Sequence, residues 1–241
     1  MKKLLTPKFS LLTPKFSLLT FITAASFFFL SPFALSAQGI LTASSFFKSV
    51  SENYATIKDY EADIDIKASK NTMSGHLSYK NPNLLRIDFT NPEEQVICFN
   101  GDLLTIYLPG SAAILNQSVD TSANNNGANL ATAQGLSLLG RYYSPAYETG
   151  QEPVPLDEGS DEMVVNLLLH RRNVSEAFST IKLSVSPDTM LIRRISATTP
   201  QDEEFVFDFK NYVLNQGISD QRFIYDPPTS ANNYNNFLFS E

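Results

Sequence analysis

The chain has 241 residues, with 18 Lys and Arg against 25 Asp and Glu, and with 18 Phe and 10 Tyr but no Trp. A formal charge of −7 excludes a nucleic-acid binder, because nothing would offset the phosphates. The only cysteine, Cys98, excludes an internal disulfide, and its place inside a predicted strand reads as a small buried hydrophobe rather than a reactive thiol.

Residues 1–37 read as a secretory signal. Lys2, Lys3, Lys8 and Lys15 precede an apolar run from Leu18 to Phe33, and small residues follow up to Ala37. The run carries Thr20, Thr23, Ser26 and Ser31 and falls short of the roughly 20 apolar residues that a membrane span needs. The unit Leu-Leu-Thr-Pro-Lys-Phe-Ser occurs at 4–10 and again at 11–17, which reads as a duplication lengthening the charged region or as an upstream start. Cleavage after Ser36 or Ala37 would leave about 204 residues with a charge of −11, since four lysines and no acid are lost. That charge repels anionic lipid surfaces. No cysteine stands at the cleavage site, so lipid anchoring by that route is not expected.

Residues 42–58 predict a helix, with Phe46, Val50, Tyr54 and Ile57 at helical spacing and Phe47 widening the stripe. Tyr60 to Ala68 alternates strictly. Tyr60, Ala62, Ile64, Ile66 and Ala68 face one way, and Glu61, Asp63, Asp65 and Lys67 the other. Asp63 and Asp65 are read as outward acids, not a metal pair. Residues 72–79 return through Met73, Gly75, Leu77 and Tyr79. Leu85, Ile87 and Phe89 follow the Asn81-Pro82-Asn83 turn, Ile97 and Phe99 follow Asn91-Pro92, and Leu104 and Ile106 follow the hairpin signal Asn100-Gly101. The stretch 75–109 is thus an antiparallel meander with one apolar face.

A strand at 112–118 leads into residues 119–135, which are rich in Asn, Gly and Ala and show no period. Leu136 to Tyr143 is a short apolar helix, read either as a lid or as a plug. Further strands are predicted at 147–154, 162–170, 178–185, 189–198 and 203–213, with Phe205, Phe207 and Phe209 on one face of the last. The count of about eleven strands fits a barrel or sandwich. The Asn-rich tail from about 229 is expected to be loose. His76 and His170 lie far apart without metal-spaced partners, and no nucleophile elbow or phosphate loop occurs. Neither an enzyme nor a cofactor is expected.

An ordered set of residues carries a family resemblance. Gly75 and Leu77 are followed by Lys80, Pro82 and Asn83; Pro92 by Ile97; Gly101 by Leu104 and Tyr107; and the chain closes with Phe223, Pro227 and Pro228. Across residues 40–228 this resembles the LolA-type outer-membrane lipoprotein carriers. The resemblance implies an incomplete, strongly bent antiparallel β-barrel covered by short helices, over a carrier domain at 38–241. It implies a soluble periplasmic carrier that takes lipoproteins from the inner to the outer membrane. The implied partners are acylated lipoproteins, an inner-membrane lipoprotein-releasing ABC transporter of the LolCDE type and an outer-membrane acceptor; the protein is expected to be a monomer. The acyl-chain cavity and lid would be lined by Ile64, Ile66, Leu77, Tyr79, Leu85, Ile87, Ile106, Leu136 and Leu139.

One position departs from the family pattern. Many carriers have an Arg that bonds to the lid just before the first turn proline, and here that lid-contact position is Asn81. Two other readings stay open: a module of the same fold for another lipid or glycolipid, and a lipid-sensing regulatory protein.

Overall fold

A computed structural model describes residues 41–119 and 131–237. The predicted signal and most of the Asn-rich loop lie outside the described residues. Among the described residues the fold is mainly β: one curved sheet of thirteen strands with two α-helices.

The first helix, α1 (Ala43–Thr56), starts where the Thr42 side chain accepts from the backbone N–H of Ser45, and it buries Phe46, Phe47, Val50 and Tyr54. The meander follows as β1 (Asp59–Ala68), β2 (Asn71–Lys80), β3 (Leu84–Asn91), β4 (Glu93–Phe99), β5 (Leu103–Leu108) and β6 (Ala113–Ser118). Asn100 shapes the β4–β5 turn, its Oδ1 accepting from the N–H groups of Asp102 and Leu103. The second helix, α2 (Ala133–Tyr142), leads directly into β7 (Tyr143–Tyr147). Then come β8 (Val154–Pro155), β9 (Met163–Arg171), β10 (Thr180–Val185), β11 (Ile192–Thr198), β12 (Glu204–Leu214) and β13 (Asn232–Asn235).

Two expectations are corrected. The strand predicted over 147–154 is two separate strands, β7 ending at Tyr147 and β8 beginning at Val154, each pairing with a different part of β9. The tail is not loose throughout, because Asn232 to Asn235 runs parallel to β6 and closes off its edge. These changes account for the difference between eleven predicted and thirteen observed strands.

The strand order is β13-β6-β5-β4-β3-β2-β1-β12-β11-β10-β9-β7, with β8 on β9. The two ends do not meet, so the barrel is unclosed. Register brings inward residues together across β1: Ile64 lies opposite Phe209 and Ile66 opposite Phe207. Ile181, Leu183 and Val185 of β10 lie opposite Leu169, Leu167 and Val165 of β9. These residues and the buried faces of α1 and α2 form one apolar core on the concave side.

A smaller cluster lies on the opposite face of the meander. Val96, Cys98, Tyr107 and Ile114 are buried there with Tyr225 and Ala231 packed against them. The cover is a strap that includes the 3-10 turn Asp220–Phe223. Phe223 is 1% exposed, and its carbonyl accepts from Cys98 Sγ at 3.2 Å. The closing Phe and Pro-Pro of the sequence pattern therefore belong to a segment that binds the back of the sheet.

Candidate functional site

Of the nine predicted lining residues, eight stand together in the concave core. Ile64, Ile66, Leu77, Tyr79, Leu85 and Ile87 come from β1 to β3, and Leu136 and Leu139 from α2. Leu136 is fully buried, and the helix lies on α1. Gly140 permits that approach, since a Cβ there would stand 3.2 Å from a ring carbon of Phe47. Leu136 and Leu139 belong to the same buried cluster as the side chains of β1–β3.

Ile106 is placed differently. It lies opposite Ile97 on the same face of the meander, yet it is half-buried and outside the packed core. Phe99, Leu104 and Leu115 share that face and are likewise half-buried. The concave side is therefore packed by helices over β1–β3 and β9–β12, while across β4–β6 its apolar side chains stay partly accessible.

Beneath the helices lies a cluster of tyrosines. Tyr60 stacks at a tilt on Tyr79 at 5.2 Å and on Tyr212 at 5.3 Å between ring centroids. Tyr54 Oη and Tyr212 Oη are 3.4 Å apart, and Tyr54 Oη accepts from the backbone N–H of Ile192. Tyr60 Oη donates to the carbonyl of Ala131, immediately before the Thr132 cap of α2. Burial pushes the Tyr54 phenol up to about 12 and raises Tyr60 and Tyr212 as well, so all three stay neutral donors. Sequence reading placed Tyr60 on the inner face and missed its role as a tie to α2. The partner lies 71 residues away and leaves no local signal.

Asn81 is exposed at the β2–β3 turn and donates its backbone N–H to Lys58 O at 2.8 Å. Its side chain makes no hydrogen bond among the described residues.

The convex face is polar and paired. Asp63 bonds His76 and Asn211, and Asp65 bonds Ser74 and Lys210; these bonds hold both carboxyls below the usual carboxylate range. Cavities of about 430 and 260 Å³ open on this face. The larger is lined by Asp157, Glu162, Arg193, Arg194, Asp208 and Lys210 among others, and these charges are joined in ion pairs, including Arg193 with Glu162 and Arg194 with Asp157 and Asp208. Neither cavity has the apolar lining that an acyl chain needs. Among the described residues no group of three His, Cys, Asp or Glu could hold a metal ion, and no helix is long and apolar enough to cross a membrane.

Comparison with known proteins agrees with this architecture. A family model described as outer membrane lipoprotein carrier protein LolA matches residues 64–226. An outer-membrane lipoprotein carrier protein from Pasteurella multocida (strain Pm70) is 26% identical over 195 residues, covering 80% of this chain and 94% of that protein. One from Haemophilus influenzae (strain ATCC 51907 / DSM 11121 / KW20 / Rd) is 26% identical over 154 residues, covering 64% of this chain and 66% of that protein, just under two thirds of its length. The crystal structure of an uncharacterized conserved protein from Thermus thermophilus shares the fold. It matches with a TM-score of 0.52 at 12% identity, over 80% of this chain and 98% of that one.

Proposed function

The chain belongs to the LolA family of outer-membrane lipoprotein carriers, and on that premise we propose that it binds the acyl chains of lipoproteins on its concave face and carries them through the periplasm from inner to outer membrane. The observation that carries this reading is the half-buried apolar row Ile97, Phe99, Leu104, Ile106 and Leu115, continuous with the core through Ile97 and Phe99. Each buried methylene is worth roughly 0.8 kcal/mol, so acylated proteins leave a bilayer only for a competing apolar site. Such a site must also give up its cargo to the next membrane. A face packed shut by α2 when empty meets both needs. Acyl chains would start on the accessible row and displace Leu136 and Leu139 from the space over Ile64, Ile66, Leu77, Tyr79, Leu85 and Ile87. On release the helix would return and avoid leaving a large apolar patch in water. An inner-membrane transporter of the LolCDE type and an outer-membrane acceptor are the partners this route requires.

The test is displacement of a fluorescent acyl probe by a triacylated lipopeptide. Ile106→Glu and Leu104→Glu place carboxylates on the half-buried row, where they are tolerated better than in the core. They should weaken lipopeptide binding tenfold or more with little loss of stability. Mass spectrometry of the protein purified from the periplasm should find acylated polypeptide. Unchanged lipopeptide binding in both variants would overturn the reading. Recovery of only a glycolipid or a free fatty acid would replace the cargo with that lipid.

A further inference from the structure

The seven arginines of the chain fall into two groups. Arg86, Arg193, Arg194 and Arg222 are all in ion pairs on the convex face. Arg141, Arg171 and Arg172 make no ion pair among the described residues, and the fold brings them to one corner. Arg141 lies in the last turn of α2. Arg171 ends β9 opposite Tyr143, the first residue of β7. Arg172 follows, its backbone N–H bonded to Tyr142 O at 2.8 Å and its Nε to Tyr143 O at 3.0 Å.

The β9–β10 loop leaves from this corner. Arg171 Nη1 donates to Val174 O at 3.3 Å, and Val174 is 82% exposed, the highest value among the exposed large hydrophobics of the described residues. Acids on these elements are few. Residues 133–147 and 163–180 supply α2, β7, β9 and the loop, and they contain one, Glu176. Three more, Asp202, Glu203 and Glu204, stand at the adjacent β11–β12 turn, which Ser179 joins to the loop through Thr198 and Thr199.

We infer that this corner docks the protein on an anionic bilayer surface, with the three arginines on lipid phosphates and Val174 entering the headgroup boundary. A net charge of the opposite sense does not prevent this. Charges are screened beyond about 8–10 Å at physiological salt, so at contact the facing groups decide the sign. The rest of the acidic surface is repelled, which leaves one orientation. A basic residue near an anionic surface contributes about 1 kcal/mol, or about fivefold in binding. Three arginines give roughly a hundredfold, enough for a reversible contact and far from an anchor. An acidic protein could pair with the arginines, but a lone aliphatic side chain at a loop tip fits a fluid apolar phase better than a shaped pocket. Docking here sets the end of α2 against the membrane. Its use in loading or release rests on the carrier reading; the docking itself does not.

Flotation of the purified protein with vesicles tests the inference. Binding is expected to phosphatidylglycerol/phosphatidylethanolamine vesicles and not to phosphatidylcholine, and it should weaken as salt rises. Arg171→Gln with Arg172→Gln should lower binding roughly 25-fold. Val174→Asp should lower it as well, and Val174→Leu should raise it. Melting curves identify any variant that has lost its fold. Equal binding by parent and variants, or no binding by the parent, overturns the inference. Capture by polyglutamate that Val174→Asp leaves unchanged, without vesicle binding, would make the corner a protein interface instead. Lipopeptide binding measured on the same variants should be unaffected. Its loss in the parent would defeat the carrier reading while leaving the docking result in force.

Discussion

Tyr60 Oη donates to the carbonyl of Ala131 at 3.0 Å, which ties the first strand of the meander to the residue before the α2 cap. Both residues are buried, so water cannot replace the bond. Tyr60→Phe keeps the ring packing against Tyr79 and Tyr212 and removes only the donor. A buried carbonyl left unpaired costs about 1–3 kcal/mol, so displacement of α2 should become at least about fivefold more frequent. The expected result is faster hydrogen exchange of amides 133–142 and higher affinity for an acyl probe. Asn81→Arg restores the residue type that the family resemblance implies for lid contact. If position 81 reaches α2, its five donors should slow the same amides and lower probe affinity. Unchanged exchange in both variants would mean that neither position holds the helix.

Gly75 lies where β2 and β3 shift register, opposite Phe89. A Cβ there would meet Asp88 O at 2.6 Å and Phe89 Cα at 2.9 Å, both backbone atoms that cannot rotate away. Gly75→Ala should therefore destabilise by about 1–3 kcal/mol through strand displacement, a loss of several degrees in melting temperature. Equal melting of the variant and the parent would show that the two strands separate freely at this point.

What was legible in the sequence was what period and turn chemistry encode. The alternation from Tyr60 to Ala68 gave β1 and its inward face, because a half-solvated strand sorts its side chains by parity. Asn100-Gly101 gave the β4–β5 turn because Gly101 takes a φ of +105°. What failed depends on distant partners. β13 is made of polar residues, and it is a strand only because β6 offers an edge 119 residues earlier in the pairing register. After Glu148, whose N–H still bonds Asn166 O of β9, the segment to 153 pairs with no strand among the described residues, since β9 pairs on either side of it with β7 and β8. The inward residues of the predicted site were legible as a set. Their division into a packed region under α2 and an accessible row around Ile106 was not, because helix docking decides it.

Cys98 is buried, its Sγ donates to Phe223 O, and burial raises its thiol above the ordinary cysteine value. It should resist a thiol reagent in the folded protein at neutral pH and react on unfolding. Cys98→Ser keeps a donor toward Phe223 and should shift melting little. Cys98→Ala removes the donor and should cost about 1 kcal/mol. Lipopeptide binding should be unchanged in both, since the residue lies on the convex side under the strap. Rapid labelling of the native protein would show that the strap detaches readily.

Asp88 decides how that strap behaves in acid. It accepts from Arg86 on its own strand and from Arg222 on the strap, and Arg222 Nε also reaches Ser78. Arg86 in turn donates to Arg222 O and lies over the Tyr225 ring at 5.3 Å. Partial burial alone would raise the Asp88 carboxyl, but the hydrogen bonds and charges of Arg86 and Arg222 outweigh it, and the net shift is downward. A carboxyl lowered on folding adds stability that is complete above its unfolded value, about 3.9, and is lost as pH falls through the lower folded value. Acidification below about pH 4 should therefore progressively loosen the strap as well as lower the melting temperature. Asp88→Asn removes the charge at every pH. At neutral pH it should cost about 1–2 kcal/mol, toward the lower end because the side chain is about a third exposed. The gap between parent and variant melting temperatures should then narrow as pH falls below about 4, and exchange at residues 219–226 should draw closer in the two proteins. A gap that stays constant from pH 7 to pH 3 would mean that the Asp88 charge is not what holds the strap.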